Sequence, residues 1–404
     1  MRFRPSLGRH KGLPTLLAGQ VPADFADWLD FVAIGALLGF VWQVEPVVFA
    51  WLGVAIGLPY LIVGPVAGVL ADRWDLRRVL ILSNLGRAVA TLALAFVGSV
   101  PALLAVAFLR GSIDSFFGPA KQAAIQAIVP EDDRLAANGV SHAINQASKV
   151  VGPSVGGALL IGLDPQAVFL ANAVVSAVAA AILIGLPRSL KPAAPPGGPD
   201  PRSMIRELRE GFAEVRTKPV VAVSLSLMAA GYFAISVYDA FIPLLVRAYG
   251  FEEGVFALAI AAVGAGGVAG ALAVGALGRA GGGFGLIGAG CVVAGALVMG
   301  LGVAPLIDVA MPSATFVGVF ALVGAATAVV IVPFRTLLQR HAEPSRMARV
   351  FAASEALNVT AMLGAPFIGA LVADIAGTGA PFVAGGAVMM LLAVAAGIAA
   401  LRFR

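Results

Sequence analysis

A chain of 404 residues that is 60% hydrophobic and only 12% charged carries about half the charge of a soluble domain. No water-soluble fold of this length buries so much apolar surface, whereas a bilayer accepts it, so the soluble globular class is excluded. The net charge of +5 does not mark a nucleic-acid partner, because the basic residues are scattered over short loops without interleaved aromatics; one cysteine, Cys291, rules out a disulfide framework or a cysteine metal site.

The chain opens on Arg2, Arg4, Arg9 and Lys11 ahead of the apolar stretch Leu13–Val21, in the manner of a signal peptide. No small-residue cleavage site follows and apolar character resumes through Phe40, so an uncleaved first membrane helix is expected. Stretches long enough to span, at about 20 residues each, fall near 15–41, 47–71, 79–98, 101–128, 137–162, 166–187, 219–246, 255–277, 284–304, 314–338, 348–374 and 380–401. The expected fold is therefore an all-α membrane protein of twelve transmembrane helices, with an N-terminal six-helix bundle over 1–187 and a C-terminal one over 219–404. The segment 188–218 between them reads as a cytoplasmic linker, Pro/Gly-rich from Lys191 to Pro201, with an amphipathic surface helix at Ser203–Arg216.

Charged residues inside the spans are costly in lipid and point to function. The first span carries Asp24, Asp27 and Asp30, which share a face about 120° wide near mid-membrane. Their mutual repulsion is relieved by a shared proton, as a proton-coupled carrier requires. Between the second and third spans lies a charged island, Gly68, Asp72, Arg73, Asp75, Arg77 and Arg78, too short for a domain and expected as a tight turn at the aqueous surface.

The fourth span sets Arg110, Asp114 and Lys121 on one stripe. Arg110 and Asp114 could form a local i,i+4 pair, or Arg110 could serve the acids of the first span, released when they are protonated; Lys121 could simply reach for the surface. The fifth span adds His142, Gln146 and Lys149 as a polar ridge beside a stripe of small residues, Gly139, Ser148, Gly152 and Gly156, a smooth groove for a neighbouring helix. In the second half, Asp239 and Glu355 are the candidate acids, with Tyr232, Arg335, Gln339 and Asn358 as further polar positions. Trp28, Phe31, Phe116 and Phe117 are candidate cavity or packing aromatics.

Topology follows from the basic residues. Twenty-one of the twenty-seven lie in the two tails and the loops after even-numbered spans, against Arg247 alone on the opposite side; Arg87, Arg110, Lys121, Lys149 and Arg335 remain in or at the membrane. This bias predicts both termini in the cytoplasm. An internal repeat accompanies it: Pro119-Ala-Lys-Gln recurs as Pro333-Phe-Arg-Thr, and Gly152-Pro-Ser-Val-Gly-Gly-Ala-Leu as Gly364-Ala-Pro-Phe-Ile-Gly-Ala-Leu, as in transporters built from two parallel repeats.

With these motifs the chain resembles the major facilitator superfamily, in its drug and siderophore exporter branch. Gly68, Asp72, Arg73, Arg77 and Arg78 match the family's signature between the second and third helices, with Asp75 where a Gly is usual. The exporters' fifth-helix motif is matched by Gly139, Ser148, Gly152, Pro153, Gly156 and Gly157, with Ser148 replacing a Gly. The resemblance implies alternating access, export by antiport, and a latch role for the island, with Asp72 closing the cytoplasmic side.

Other chemistries fail. There is no phosphate loop ending in Lys-Ser/Thr, and His10, His142 and His341 are far apart in sequence. No enzyme activity, cofactor or metal is expected. The reading is a proton-coupled exporter of a small amphipathic, drug-like compound in a bacterial inner or plasma membrane, working as a monomer. A siderophore exporter or a lysophospholipid flippase of the same fold stays open, and a transport-dead receptor would call for soluble appendages longer than the 188–218 segment.

Overall fold

The computed structural model describes residues 7–71, 73–160, 162–191, 218–277, 283–341 and 347–403, and every regular element among them is helical. In chain order these are α1 Leu13–Ala36, α2 Pro46–Ala71, α3 Leu76–Leu94, α4 Val100–Asp114, α5 Phe117–Ile128, α6 Glu131–Leu160 and α7 Pro165–Leu183. The second part follows as α8 Pro219–Tyr238, α9 Ile242–Ala248, α10 Glu253–Leu277, α11 Gly283–Leu306, α12 Ser313–His341, α13 Met347–Ala376 and α14 Ala380–Arg402. The expected surface helix Ser203–Arg216 lies outside the described residues.

Proline explains where helices begin and break. Pro46, Pro165 and Pro219 are the first residues of α2, α7 and α8, positions where φ is already suitable and the missing N–H is not needed. Inside the spans, Pro22, Pro59, Pro65, Pro153 and Pro366 sit within unbroken helices, but two others coincide with a break. The expected continuous helix over 101–128 is instead α4 and α5, parted at Ser115 and Phe116. Pro119 offers no N–H to the Ser115 carbonyl and its ring crowds it, and the chain tightens there, with Phe116 N donating to Ile113 O at 3.2 Å. Pro243 acts alike on the seventh expected span, which becomes α8, a 3-10 turn at Asp239–Phe241, and α9. Pro333 sits inside unbroken α12, so the Pro119/Pro333 repeat does not extend to the break.

Nine helical stretches among the described residues are long and apolar enough to cross a membrane. The long helices that lack such a stretch are α1, α3 and α6. Their sequences carry, respectively, Asp24, Asp27 and Asp30; Arg77, Arg78 and Arg87; and a row of polar residues from Asn138 to Lys149. These three helices thus carry much of the intramembrane charge; α4, with Arg110 and Asp114, carries more of it within a stretch that is still apolar enough to cross.

The chain divides into two units, Met1–Leu38 with Val54–Pro199, and Gly39–Gly53 with Asp200–Arg404. In the first, α1 packs against α6 and α7, and α3 against α7 and α4, around a core that includes Leu16, Leu80, Phe117, Ile125 and Leu183. In the second, α10 packs on α12 and α11 on α14 with backbones close enough that only small residues fit. A Cβ at Gly270 would lie 2.8 Å from Ala325 Cα and one at Gly295 2.9 Å from the Gly386 carbonyl, the approach by which helices associate in lipid. Gly377, at φ 89°, closes α13 with its N–H on Ala373 O at 2.9 Å, a left-handed helix stop.

Candidate functional site

One face of α3 carries Asn84, Arg87 and Thr91, within an arc of about 60°. All three are completely buried. A guanidinium in that position has to be matched by acceptors, and α1 and α4 supply them. Arg87 Nη2 binds Asp27 Oδ1 and also donates to the Ala23 carbonyl at 2.9 Å, while Nη1 lies 3.0 Å from Asp114 Oδ1. Its flat cation sits 5.8 Å from the Phe117 ring centre.

Arg110 completes the cluster. Its Nη2 donates to the same Asp27 Oδ1 at 2.9 Å and its Nε lies 2.5 Å from Asp30 Oδ2. The local Arg110–Asp114 pairing allowed by the sequence is not made among these contacts: Asp114 turns to Arg87 and accepts from the Tyr60 hydroxyl on α2. Asp30 is further held by Thr91 Oγ1 at 2.9 Å and by Asn172 Nδ2 of α7 at 2.7 Å. Five helices therefore meet through three carboxylates and two guanidiniums, which leaves one negative charge in excess when all are ionised.

The three acids differ in access. The Asp27 side chain is 36% exposed, against 3% for Asp30 and 10% for Asp114. Asp27 opens onto a cavity of about 350 Å³ whose walls include Trp28, Phe31, Tyr60, Arg110, Asn145 and Lys149. The cavity therefore combines aromatic surface with a few polar groups, the lining expected of a small-molecule site.

Asp24 belongs to an adjoining polar group between α1 and α6. Gln20 Nε2 donates to Asp24 Oδ2 at 2.7 Å and to the Ser141 carbonyl at 2.8 Å, and Ser141 Oγ returns a bond to Gln20 Oε1 at 2.8 Å. Asn145 adds a bond to Asp24 at 3.3 Å, and Lys121 Nζ lies 4.0 Å from its Oδ1 and 5.4 Å from the Phe117 ring centre. Lys121 thus leans on the acid and ring beside it. Lys149 Nζ stands 6.0 Å over Trp28, and His142 is exposed.

Of the expected site residues, Asp27, Asp30, Arg110 and Asp114 come together and Asp24 and Lys149 lie beside them. Asp239 is exposed in the turn of the second unit. The side chains of Gln146, Glu355, Arg335, Gln339 and Asn358 lie outside the described residues. Sequence reasoning missed Arg87 as a site residue, together with Tyr60, Thr91, Asn172 and Gln20. The signal for Arg87 was present: Asn84, Arg87 and Thr91 repeat at helical spacing in an apolar run.

Asp72 lies outside the described residues, and a Cβ at Gly68 would meet nothing described within 4 Å, so no close approach demands glycine there in this structure. Asp75 and Arg77 are occupied within their own unit. Asp75 caps α3 through Arg78 N at 3.0 Å and accepts Leu190 N at 3.1 Å. Arg77 donates twice to Ile184 O, at 3.2 and 2.8 Å, closing the end of α7. In the glycine-rich helix, Gly152 is the tight position: a Cβ there would lie 2.5 Å from Trp28 Cβ, at Gly156 3.3 Å from Val32, and at Gly139 near nothing. Ser148, Pro153 and Gly157 are buried.

A family model described as Major Facilitator Superfamily matches residues 16–358. The uncharacterized MFS-type transporter YfiS of Bacillus subtilis (strain 168) is 28% identical over 396 residues, 96% of this chain and 93% of its own. Macrolide efflux protein A of Streptococcus pyogenes is 31% identical over 197 residues, 48% of each chain. Among solved structures, a peptide transporter POT aligns with 99% of this chain and 96% of its own at a TM-score of 0.75 and 15% identity. A bacterial homolog of the human lysosomal transporter Spinster aligns over 98% and 96%, at a TM-score of 0.70 and 16% identity, a likeness of fold alone. Matched by the family model over most of its length, the chain belongs to the Major Facilitator Superfamily.

Proposed function

We propose that this transporter exports a small amphipathic compound in exchange for protons, by alternating access between two six-helix bundles. Twelve spans with both termini in the cytoplasm fit the basic-residue bias, once α1, α3 and α6 are allowed to cross with their charges turned onto one another. The observation that carries the reading is the unequal charge of the cluster. Three carboxylates share two guanidiniums, and Asp27, the most exposed of the three and a wall of the cavity together with Asp30, is held by both.

A buried cluster with one charge in excess is relieved by one proton. When Asp27 takes that proton, its grip on Arg87 and Arg110 weakens, and the helices that carry them are freed to shift; when it gives the proton up, the bonds re-form. Differential protonation of two arrangements is what lets a proton gradient drive a conformational cycle. The aromatic and cationic lining of Trp28, Phe31 and Lys149 supports an amphipathic, drug-like substrate, as does the similarity to a macrolide efflux protein over half the chain. In this reading Asp72 latches the cytoplasmic side.

The test is proton movement on substrate addition. Protein reconstituted in vesicles loaded with a pH-sensitive dye is given a macrolide, or ethidium as a lipophilic cation. A proton flux that depends on protein and compound is expected; substrate flux with no accompanying proton movement would refute the exchange.

A further inference from the structure

A second cavity, of about 670 Å³, lies in the first unit at the turn from α2 to α3, remote in sequence from the first-span acids. Arg73, Asp75 and Arg78 line one part of it; Val63, Val79, Leu82 and Ile113, with Ser83 and Ser112 among them, line much of the rest. Neither arginine side chain has an ion-pair partner among the described residues, and the one described acid beside them, Asp75, already accepts from two backbone N–H groups. Trp74, half exposed, stacks on Phe116 at 6.4 Å with their planes 5° apart, which puts an amphipathic indole at the mouth.

What continues from the groove decides its occupant. Leu82, Leu85 and Val89 are exposed, at 65%, 43% and 67%, and on the α3 wheel they fall within about 60° of one another; Phe96, also exposed, lies in the turn just past the end of α3. Arg78 belongs to the same face. The groove is therefore cationic at its head and runs into an apolar stripe nearly the length of α3. A free phosphate would satisfy the head and leave the stripe bare, while an acyl chain covers it. A zwitterionic lipid would bring its own cation against two arginines.

We infer that this groove is a binding site for an anionic phospholipid, its phosphate on Arg73 and Arg78, its glycerol region against Trp74 and Phe116, and an acyl chain along the outer face of α3. Basic pockets at the cytoplasmic ends of membrane helices recognise anionic headgroups in this way, each basic group favouring them by roughly fivefold. The leaflet follows from the topology proposed above, but the site itself does not depend on what the protein transports.

Trp74 is a built-in reporter among four tryptophans. The protein is placed in nanodiscs doped with phosphatidylglycerol, or with phosphatidylcholine, brominated near the top of the acyl chain. The signal is the quenching present in the wild type and absent in Trp74→Phe. We expect half-quenching at a phosphatidylglycerol fraction on the order of twentyfold lower than for phosphatidylcholine. That excess should vanish in Arg73→Gln/Arg78→Gln and survive millimolar inorganic phosphate. Equal quenching by the two wild-type preparations would overturn the site without recourse to any arginine variant. Loss of the excess on adding inorganic phosphate would assign the arginines to a free anion and overturn the lipid, as would an excess unchanged in a folded double variant.

Discussion

Asp27 of α1 and Arg110 of α4 meet at 2.9 Å, while Asp114, one helical turn on from Arg110, turns away to Arg87. Residues on one helix that look like partners are thus each committed to other helices. The charge cluster ties five helices of the first unit together instead of stabilising one of them.

Arg87 is the centre of that arrangement, and its removal leaves the buried Asp114 without its ion-pair partner and Asp27 with Arg110 alone. Breaking a buried pair from one side costs about 3–5 kcal/mol, so Arg87→Met should lower the thermal unfolding midpoint of the purified protein sharply. Adding Asp114→Asn should recover part of the loss, because an unpaired acid is removed with it. Additive losses in the double variant would show that Arg87 and Asp114 do not act as a pair.

Tyr60 donates to Asp114 from α2. A hydrogen bond to a charged group contributes about 1.5–3 kcal/mol. Tyr60→Phe should therefore destabilise the wild-type background by about that amount and the Asp114→Asn background by clearly less, as read by the same thermal midpoint.

The small-residue motif of α6 should respond position by position. Gly152→Ala sets a methyl against Trp28, on a wall of the cavity, and overpacking of this kind costs about 1–3 kcal/mol; transport should fall and thermal stability drop. Gly139→Ala has open space around it and should leave both unchanged. Equal effects at the two positions would mean that the motif acts through something other than packing on α1.

Asp75 and Arg77 cap α3 and α7 in this structure. Replacing a capping side chain by Ala costs about 0.5–2 kcal/mol, so Asp75→Ala and Arg77→Ala should each lower the thermal midpoint modestly. A purely conformational role would leave the midpoint in place and change only the accessibility of single cysteines introduced into the cavity.

Much of this was legible in the sequence. Apolar runs of spanning length, and the acids Asp24, Asp27 and Asp30 at three-residue spacing, signal a helix that faces other protein and not lipid. Arg110 as the counter-charge for these acids was also within reach, since an unpaired buried cation is untenable. Its choice between Asp114 and the first helix was not, because i,i+4 spacing permits a local pair and only tertiary packing withholds it. Tyr60, Thr91 and Asn172 are single neutral polar residues, and nothing local distinguishes one that meets a carboxylate from one that bonds its own backbone, as Ser112 does with Phe108 O at 2.8 Å. The missing N–H of Pro119 and Pro243 accounts for the breaks before them, but Pro22, Pro59, Pro65, Pro153, Pro333 and Pro366 sit in unbroken helices, so a proline alone did not locate a break.

The central claim is that Asp27 carries the coupling proton, and flux under an imposed pH gradient tests it most directly. Wild-type protein and Asp27→Asn are reconstituted in proteoliposomes, and uptake of a radiolabelled macrolide or of ethidium is followed with and without the gradient. The account predicts several-fold faster uptake under the gradient in the wild type, and a gradient-independent residual rate in Asp27→Asn. Flux that ignores the gradient in the wild type, or that keeps its full gradient dependence in Asp27→Asn, would contradict it.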